Sequence, residues 1–342
     1  MEKRLQAFIQ LGDHLSEYLS VSNKTNYQTL DELVDTSFHY NGWFNRENVL
    51  RALSGIVYML KKKDLTEFSQ TIKYSNKPKT VAVIMAGNLP AVGFHDMMCV
   101  LLSGNNILIK LSSDDKLLIP YFLKKLVEFD PSIKDQVRFA EGKLENFDAV
   151  IATGSDNSAR YFQSYFGKYP HIIRKNRTSV AILTGKETPE ELLALGHDIF
   201  DFFGLGCRSV SKVFVPVGYK PDTLFEGIFS FSQVIENKKY ANNYEYNRAI
   251  YLLNKEAFLD NNFLLIKYSK ELHSPVGVLF LEEYENFGAL EERLNELRAE
   301  IQCMVTNSDL PNEKVHFGEA QCPGVSTFAD NVSTIAFLNN LQ

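Results

Sequence analysis

The sequence predicts an α/β protein of two lobes, with parallel sheets covered by helices. Length is the first reason, because 342 residues exceed one ordinary compact core and two lobes of roughly 150 residues each are expected. The second reason is the pattern from Thr80 onward, where short apolar runs alternate with helical segments: TVAVIMA, FHDMMCVLLS, NILIK, a helix to about Glu128, then DAVIAT. Such alternation predicts parallel strands with helices on both faces. A second series gives the third reason. It opens near Ser179 with SVAIL, a helix from about Pro189 to Phe203, a Gly-rich turn and SKVFVPV. It continues with a long helix near 221–237, mixed strands, PVGVLFL, a helix near 285–299 and IQCMVT.

Before Thr80 the chain reads as helical. Leu5, Phe8, Ile9, Leu15 and Leu19 fall on one helix face, and Asn45 is placed to cap a later helix. That later helix carries an apolar stripe of Val49, Leu50, Leu53, Ile56, Val57 and Leu60. The basic run Lys61, Lys62 and Lys63 is expected at its C-terminus, where cations complement the macrodipole. Ser69 to Lys79, polar and containing Pro78, reads as a connection or exposed ribbon.

Composition narrows the function. Hydrophobic residues at 45% and charged residues at 23% are the balance of a globular chain with a large core. A net charge of -6 argues against broad nucleic-acid binding, which needs a basic face. No apolar run approaches the ~20 residues of a membrane span, and MEKRLQAFIQ lacks a signal-peptide core, so a cytoplasmic location is expected. Cys99, Cys207, Cys303 and Cys322 form no CxxC pair, which suggests neither a zinc module nor a disulfide framework and leaves room for a free reactive thiol.

Common catalytic motifs fail. Gly204 and Gly206 begin like GxGxxG, but position 209 is Ser and no strand immediately precedes them. No GxxxxGK, HExxH or GxSxG occurs, and the seven histidines are scattered. FGLGCRSVSKVFVP remains, with Cys207 in a Gly-rich turn between helix and strand. Such a turn can expose the sulfur and leave amides to hold an oxyanion, although an isolated cysteine is more often a small buried hydrophobe.

Several segments in order carry a resemblance. VAVIMAGNLPAVGFHDMMCVLLSGNNILIKLSS, ATGSDNSAR, GLGCRS and ELHSPVGV resemble successive elements of the aldehyde dehydrogenase superfamily. NGWFNRENVLRALSGI and FADNVSTIAFL resemble, within it, the fatty acyl-CoA reductases of the bioluminescence type. The resemblance spans most of residues 43 to 338. It implies a Rossmann-like cofactor domain plus a catalytic domain. The division is 1–62 as N-terminal helices of the cofactor lobe and 63–79 as a connection or oligomerisation ribbon. Residues 80–177 are then the cofactor-binding domain, 178–312 the catalytic domain, and 313–342 a segment returning to the cofactor lobe or an oligomer interface.

Residue by residue, the resemblance makes Cys207 the nucleophile. Asn88 is the amide that completes the oxyanion hole with the Cys207 N–H, where a neutral donor suits a transient charge. Lys110 would hold the adenosine ribose, with Ser112 and Ser113 following it. Ser113 falls where NAD-preferring relatives carry Glu, so NADP(H) is expected ahead of NAD(H). Thr153, Gly154 and Ser155 match the turn beside the pyrophosphate and nicotinamide, where small residues let backbone approach the cofactor. Glu271 matches the acid on the nicotinamide ribose, and His273 replaces a Phe that stacks near the ring.

One departure bears on the reaction. Where hydrolytic relatives place a general-base Glu, 34 residues before the nucleophile, this chain has Ile173. Without that base a thioester is exchanged or reduced rather than hydrolysed. The resemblance thus implies NADPH-dependent reduction of an acyl-CoA or acyl-carrier thioester to an aldehyde, without a metal, by a homo-oligomer (dimer or tetramer). The alternatives are an acyl-phosphate reductase of the same fold, a Cys-dependent acyltransferase or thioesterase without nicotinamide, and a non-catalytic scaffold.

Overall fold

The computed structural model describes residues 1–308 and 314–341. The chain divides into two compact units, Met1–Asn176 with Pro323–Gln342, and Arg177–Cys322.

The first unit opens with α1 (Glu2–Ser20), α2 (Gln28–Tyr40), α3 (Arg46–Met59) and α4 (Lys62–Ser69). Phe8, Ile9 and Leu15 of the expected α1 face are buried, and Leu5 and Leu19 pack at its margin. Asn45 caps α3 by accepting the Asn48 N–H. The three lysines differ from expectation. Leu60 ends α3, Lys61 is the N-cap of α4, and Lys62 and Lys63 lie in its first turn. The reason is that the apolar period restarts with Leu65 and Phe68, whose burial starts a new helix. The ribbon expected over 63–79 therefore begins as helix, and only 70–79 lack regular structure. Even there Ile72 and Ser75 are buried, with the Ser75 N–H donating to Ser103.

The alternating region follows as β1 (Thr80–Ile84), α5 (Phe94–Leu102), β2 (Asn106–Lys110), α6 (Leu118–Phe129), β3 (Val137–Phe139), β4 (Ala149–Thr153), α7 (Asp156–Phe166) and β5 (His171–Arg174). The sheet is parallel, in the order β3-β2-β1-β4-β5. Its near-continuous apolar strands fit a sheet buried on both faces.

The second unit holds β6 (Thr178–Ile182), α8 (Pro189–Phe200), β7 (Val210–Pro216), α9 (Pro221–Gly227), α10 (Lys238–Leu253), β8 (Leu259–Asp260), β9 (Leu265–Tyr268), β10 (Val278–Tyr284), α11 (Phe287–Leu297) and β11 (Ile301–Val305). Its sheet runs β11-β6-β7-β10-β9-β8, parallel except at β8. The long helix expected near 221–237 is instead α9 and a 3-10 turn, and α10 stands where mixed strands were expected. Asn237 starts α10 by accepting the Lys239 and Tyr240 N–H groups.

This unit runs past 312 to Cys322, because Asp198 on α8 and a bridge from Val305 to Val315 tie the later residues to it. The remaining residues belong to the first unit and end in α12 (Thr334–Asn339). There Arg174 of β5 donates to Asp96 at 2.7 Å and to Thr334 at 2.9 Å, a buried charge-assisted cluster that fastens α12 to α5.

Candidate active site

Cys207 lies in the turn between α8 and β7. The chain reaches it through Phe202, Phe203 and Gly204, all left-handed, with φ of 55°, 57° and 73°. Two buried phenylalanines in that region are strained by about 1–3 kcal/mol each, which surrounding packing must offset. The turn is held from several sides. Ser179 of β6 donates to the Cys207 carbonyl at 3.0 Å. Ser209 accepts the Gly206 N–H at 3.2 Å and a Gln321 amide proton at 3.1 Å. Arg208 donates to the Ala320 carbonyl. Asp198, fully buried, accepts the Gly318 and Ala320 N–H groups at 2.6 and 2.9 Å, and burial raises its pKa to about 7.

The four thiols differ in setting. Cys99 is fully buried and Cys303 is intermediate in exposure, and desolvation pushes both thiol pKa values up. Cys322 is exposed, and Cys207 is intermediate. The turn therefore keeps Cys207 out of the core while fixing its backbone.

Asn88 belongs to the first unit, in the turn after β1, and is exposed. On one side Asn41 donates to the Gly87 carbonyl at 2.9 Å. On the other, buried Asp115 accepts the N–H of Ala91, a left-handed residue with φ of 57°, at 2.6 Å. Burial raises the Asp115 pKa to about 6, and its bonds from Ala91 and Leu118 only partly oppose this.

The other expected cofactor residues of this unit stand at the carboxyl ends of strands. Lys110 ends β2, with Nζ donating to Gly142 at 3.0 Å and to Glu141 at 3.4 Å. Ser112 accepts the Asp114 N–H at 3.2 Å, and Ser113 donates to the Asp114 carboxylate at 3.3 Å. Thr153 ends β4, Gly154 follows, and Ser155 caps α7 by accepting the Ser158 N–H. Gly154 is small for a local reason, since a Cβ there would lie 2.8 Å from that of Ser158. At Gly87 a Cβ would lie 2.3 Å from Ser112 Oγ, so only glycine lets these two segments touch.

The strand order places the β1 and β4 ends at the reversal of the sheet, the crevice where open α/β sheets take nucleotides. With an ammonium at the β2 end and the positive end of α7 beside β4, the residues present fit a dinucleotide.

Glu271 and His273 belong to the second unit, on the connection between β9 and β10, and both are exposed. The His273 Nε2 lies 3.8 Å from a Glu300 carboxylate oxygen. The bracing residues Asn41, Asp115, Ser179 and Asp198 were not singled out by the sequence. They are separated from their partners by 46, 24, 28 and 120 residues, and no local motif marks them.

Residues 14–223, more than half of the chain, match the family model of the LuxC acyl-CoA reductases. The chain belongs to the LuxC acyl-CoA reductase family. No curated protein matches it. This reductase has the aldehyde dehydrogenase fold, as solved structures show. A mutant of the aldehyde dehydrogenase from Bacillus cereus superposes with a TM-score of 0.65 at 15% identity, covering 90% of this chain and 71% of that one. Aldehyde dehydrogenase 21 from Physcomitrella patens, solved with the reaction product succinate, gives 0.63 at 12% identity over 99% and 84%. The NAD+ complex of the Bacillus cereus enzyme gives 0.62 at 15% over 90% and 72%.

The LuxC-family chain is thus an oxidoreductase acting on an aldehyde or acyl group. Among the described residues no cluster of three or more His, Cys, Asp or Glu is placed to hold a metal ion, and no helix is long and apolar enough to cross a membrane. Ile173 of this reductase lies on β5, with its side chain packed on a small apolar cluster of Ala82, Leu108, Val150 and Ala152.

Proposed function

We propose that this acyl-CoA reductase forms a covalent thioester on Cys207 and reduces it with NADPH. The observation that carries the reading is the setting of Cys207, partly exposed in a strained turn that is braced from several sides, while Cys99 is fully buried. A fixed, partly exposed cysteine is the better acyl acceptor. On this reading residues 80–177 bind the nucleotide and 178–312 carry the covalent chemistry.

The Cys207 thiolate attacks the thioester carbonyl of acyl-CoA. Asn88 and the Cys207 N–H stabilise the oxyanion, collapse breaks the carbon–sulfur bond to CoA, and CoA leaves as the thiol after taking a proton. Lys110 would hold the adenosine ribose of the cofactor, Thr153, Gly154 and Ser155 its pyrophosphate edge, and Glu271 its nicotinamide ribose. Bound NADPH supplies a hydride. Reduction of the acyl group leaves a thiohemiacetal on Cys207, which expels the aldehyde and regenerates the thiolate. The balance is acyl-CoA, NADPH and a proton giving aldehyde, CoA and NADP+.

The test is NADPH oxidation with a panel of acyl-CoA chain lengths, with acyl phosphates as controls, for the native enzyme and Cys207→Ala. The expected result is turnover with acyl-CoA, none in Cys207→Ala, and unchanged NADPH binding in the variant. Turnover retained by Cys207→Ala refutes the nucleophile.

A further inference from the structure

Parallel strands β9 and β10 are joined by residues 269–277 without a helix, a connection shorter than the dozen or more residues usual for such a crossover. Irregular backbone so close to a sheet must find side-chain partners for its carbonyls. Four successive carbonyls do. Lys212 Nζ donates to Ser269 at 2.7 Å and to Glu271 at 2.9 Å, Arg293 to Lys270 at 2.7 Å, and Ser211 to Leu272 at 3.0 Å. Glu282 of β10 joins the two cations, pairing with Lys212 and with Arg293 Nε at 3.0 Å.

Lys212 has no exposed surface. Burying an ammonium is costly even when it is paired, and an apolar side chain of similar volume would fill the same space in β7 without that cost. Burial accordingly pushes its pKa down, against the opposing pull of Glu282. Packing alone does not account for a lysine here. Its two carbonyl bonds instead fix the peptide that carries Glu271, whose own side chain is left exposed.

We propose that Lys212, with Arg293 and Ser211, is a positioning residue that aims the Glu271 carboxylate at the nicotinamide ribose. This rests on the reading of Glu271 given above. The ammonium acts through the backbone of 269–271 and touches neither substrate nor cofactor.

A double-mutant cycle tests it, reading NADPH affinity by fluorescence and the Cys207 acylation burst by mass spectrometry with acyl-CoA. Lys212→Met is expected to weaken NADPH binding about tenfold and Ser211→Ala about threefold, with the acylation burst within about twofold of native, and neither effect should persist in a Glu271→Ala background. Lys212→Arg, which keeps a cationic donor, should retain more of the affinity than Lys212→Met. If Lys212→Met does not fold, Ser211→Ala and Arg293→Lys carry the cycle. The same loss in the Glu271→Ala background, or an acylation rate that falls in step, overturns the positioning role alone. Unchanged NADPH affinity in Glu271→Ala by itself overturns the reading of Glu271 and this proposal with it.

Discussion

Ser179 Oγ donates its one proton to the Cys207 carbonyl at 3.0 Å, and so receives the Cys303 thiol proton across the 2.9 Å between them. One hydroxyl on β6 thereby ties the Cys207 backbone to β11. Ser179 is fully buried, so its removal leaves a carbonyl short of a partner, at a cost of about 1–3 kcal/mol. Ser179→Ala is expected to lower stability by that amount and to slow acylation of Cys207 about tenfold through a loosened turn. Chemical denaturation and burst kinetics check the two effects separately. A destabilised variant with a native burst means that Gln321, Arg208 and Asp198 suffice to hold the turn.

Two buried carboxyls give the protein a signed pH dependence. Asp115 titrates near pH 6 and Asp198 near pH 7, both raised by burial from 3.8. A carboxyl with a raised pKa binds its proton more tightly in the folded state. Its contribution is therefore fullest below pH 3.8 and is lost as pH rises through the folded value. For Asp115 the loss is about 3 kcal/mol between roughly pH 4 and 6, and for Asp198 the decline continues to about pH 7. Asp115→Asn with Asp198→Asn should flatten urea stability between pH 4.5 and 7.5 relative to native. An unchanged slope means that other groups govern it.

Much of the fold was legible because its strands are apolar runs with clear punctuation, as in TVAVI, NILIK and SVAIL. Where the signal failed, the buried side chains were not simple hydrophobes. The buried residues of α10 are Tyr240, Tyr244, Asn247 and Tyr251, which a hydropathy period passes over. The braces of the site were illegible for a different reason, since Asp115 and Asp198 act on residues distant in sequence and carry no motif. Lys212 did leave a trace, as a lone lysine inside the apolar strand SKVFVPV.

Cofactor choice is expected to turn on the end of β2. Ser113 offers no carboxylate against a 2'-phosphate and Lys110 stands nearby, so NADPH is expected to be preferred over NADH. Asp114, which accepts the Ser113 hydroxyl, brings a charge one residue further on. Ser113→Glu should weaken NADPH about tenfold while sparing NADH, and Asp114→Asn should shift the ratio the other way. Steady-state constants for both cofactors decide it. A ratio unmoved by either substitution shows that another segment meets the 2'-phosphate.

On the proposed mechanism an acyl group on Cys207 is expected to be exchanged or reduced and not hydrolysed. Hydrolysis needs a base beside the thioester, and position 173 carries an isoleucine whose side chain is committed to packing on the first sheet. Of the acids between Ile173 and Cys207, Asp198 is engaged by the Gly318 and Ala320 N–H groups, Asp201 lies 3.2 Å from the His197 ring, and two of the three glutamates are occupied in their own turns. Glu187 accepts hydrogen bonds from the Thr184 and Gly185 N–H groups and the Thr184 hydroxyl, while Glu191 completes a capping box with Thr188 and accepts a hydrogen bond from the Asn307 amide. Glu190 lies in the first turn of α8, where an acidic residue complements the helix dipole. The acylated enzyme should therefore form in a fast burst, persist in buffer, and discharge quickly on adding free CoA or NADPH. Single-turnover mass spectrometry of the peptide that contains Cys207, with and without each additive, follows all three fates. Discharge to free acid as fast as reduction to aldehyde would mean that another residue supplies the base. Among the glutamates Glu190→Gln is then the first variant to make, since Glu187 and Glu191 are held by their own turns, and Asp198→Asn is its companion.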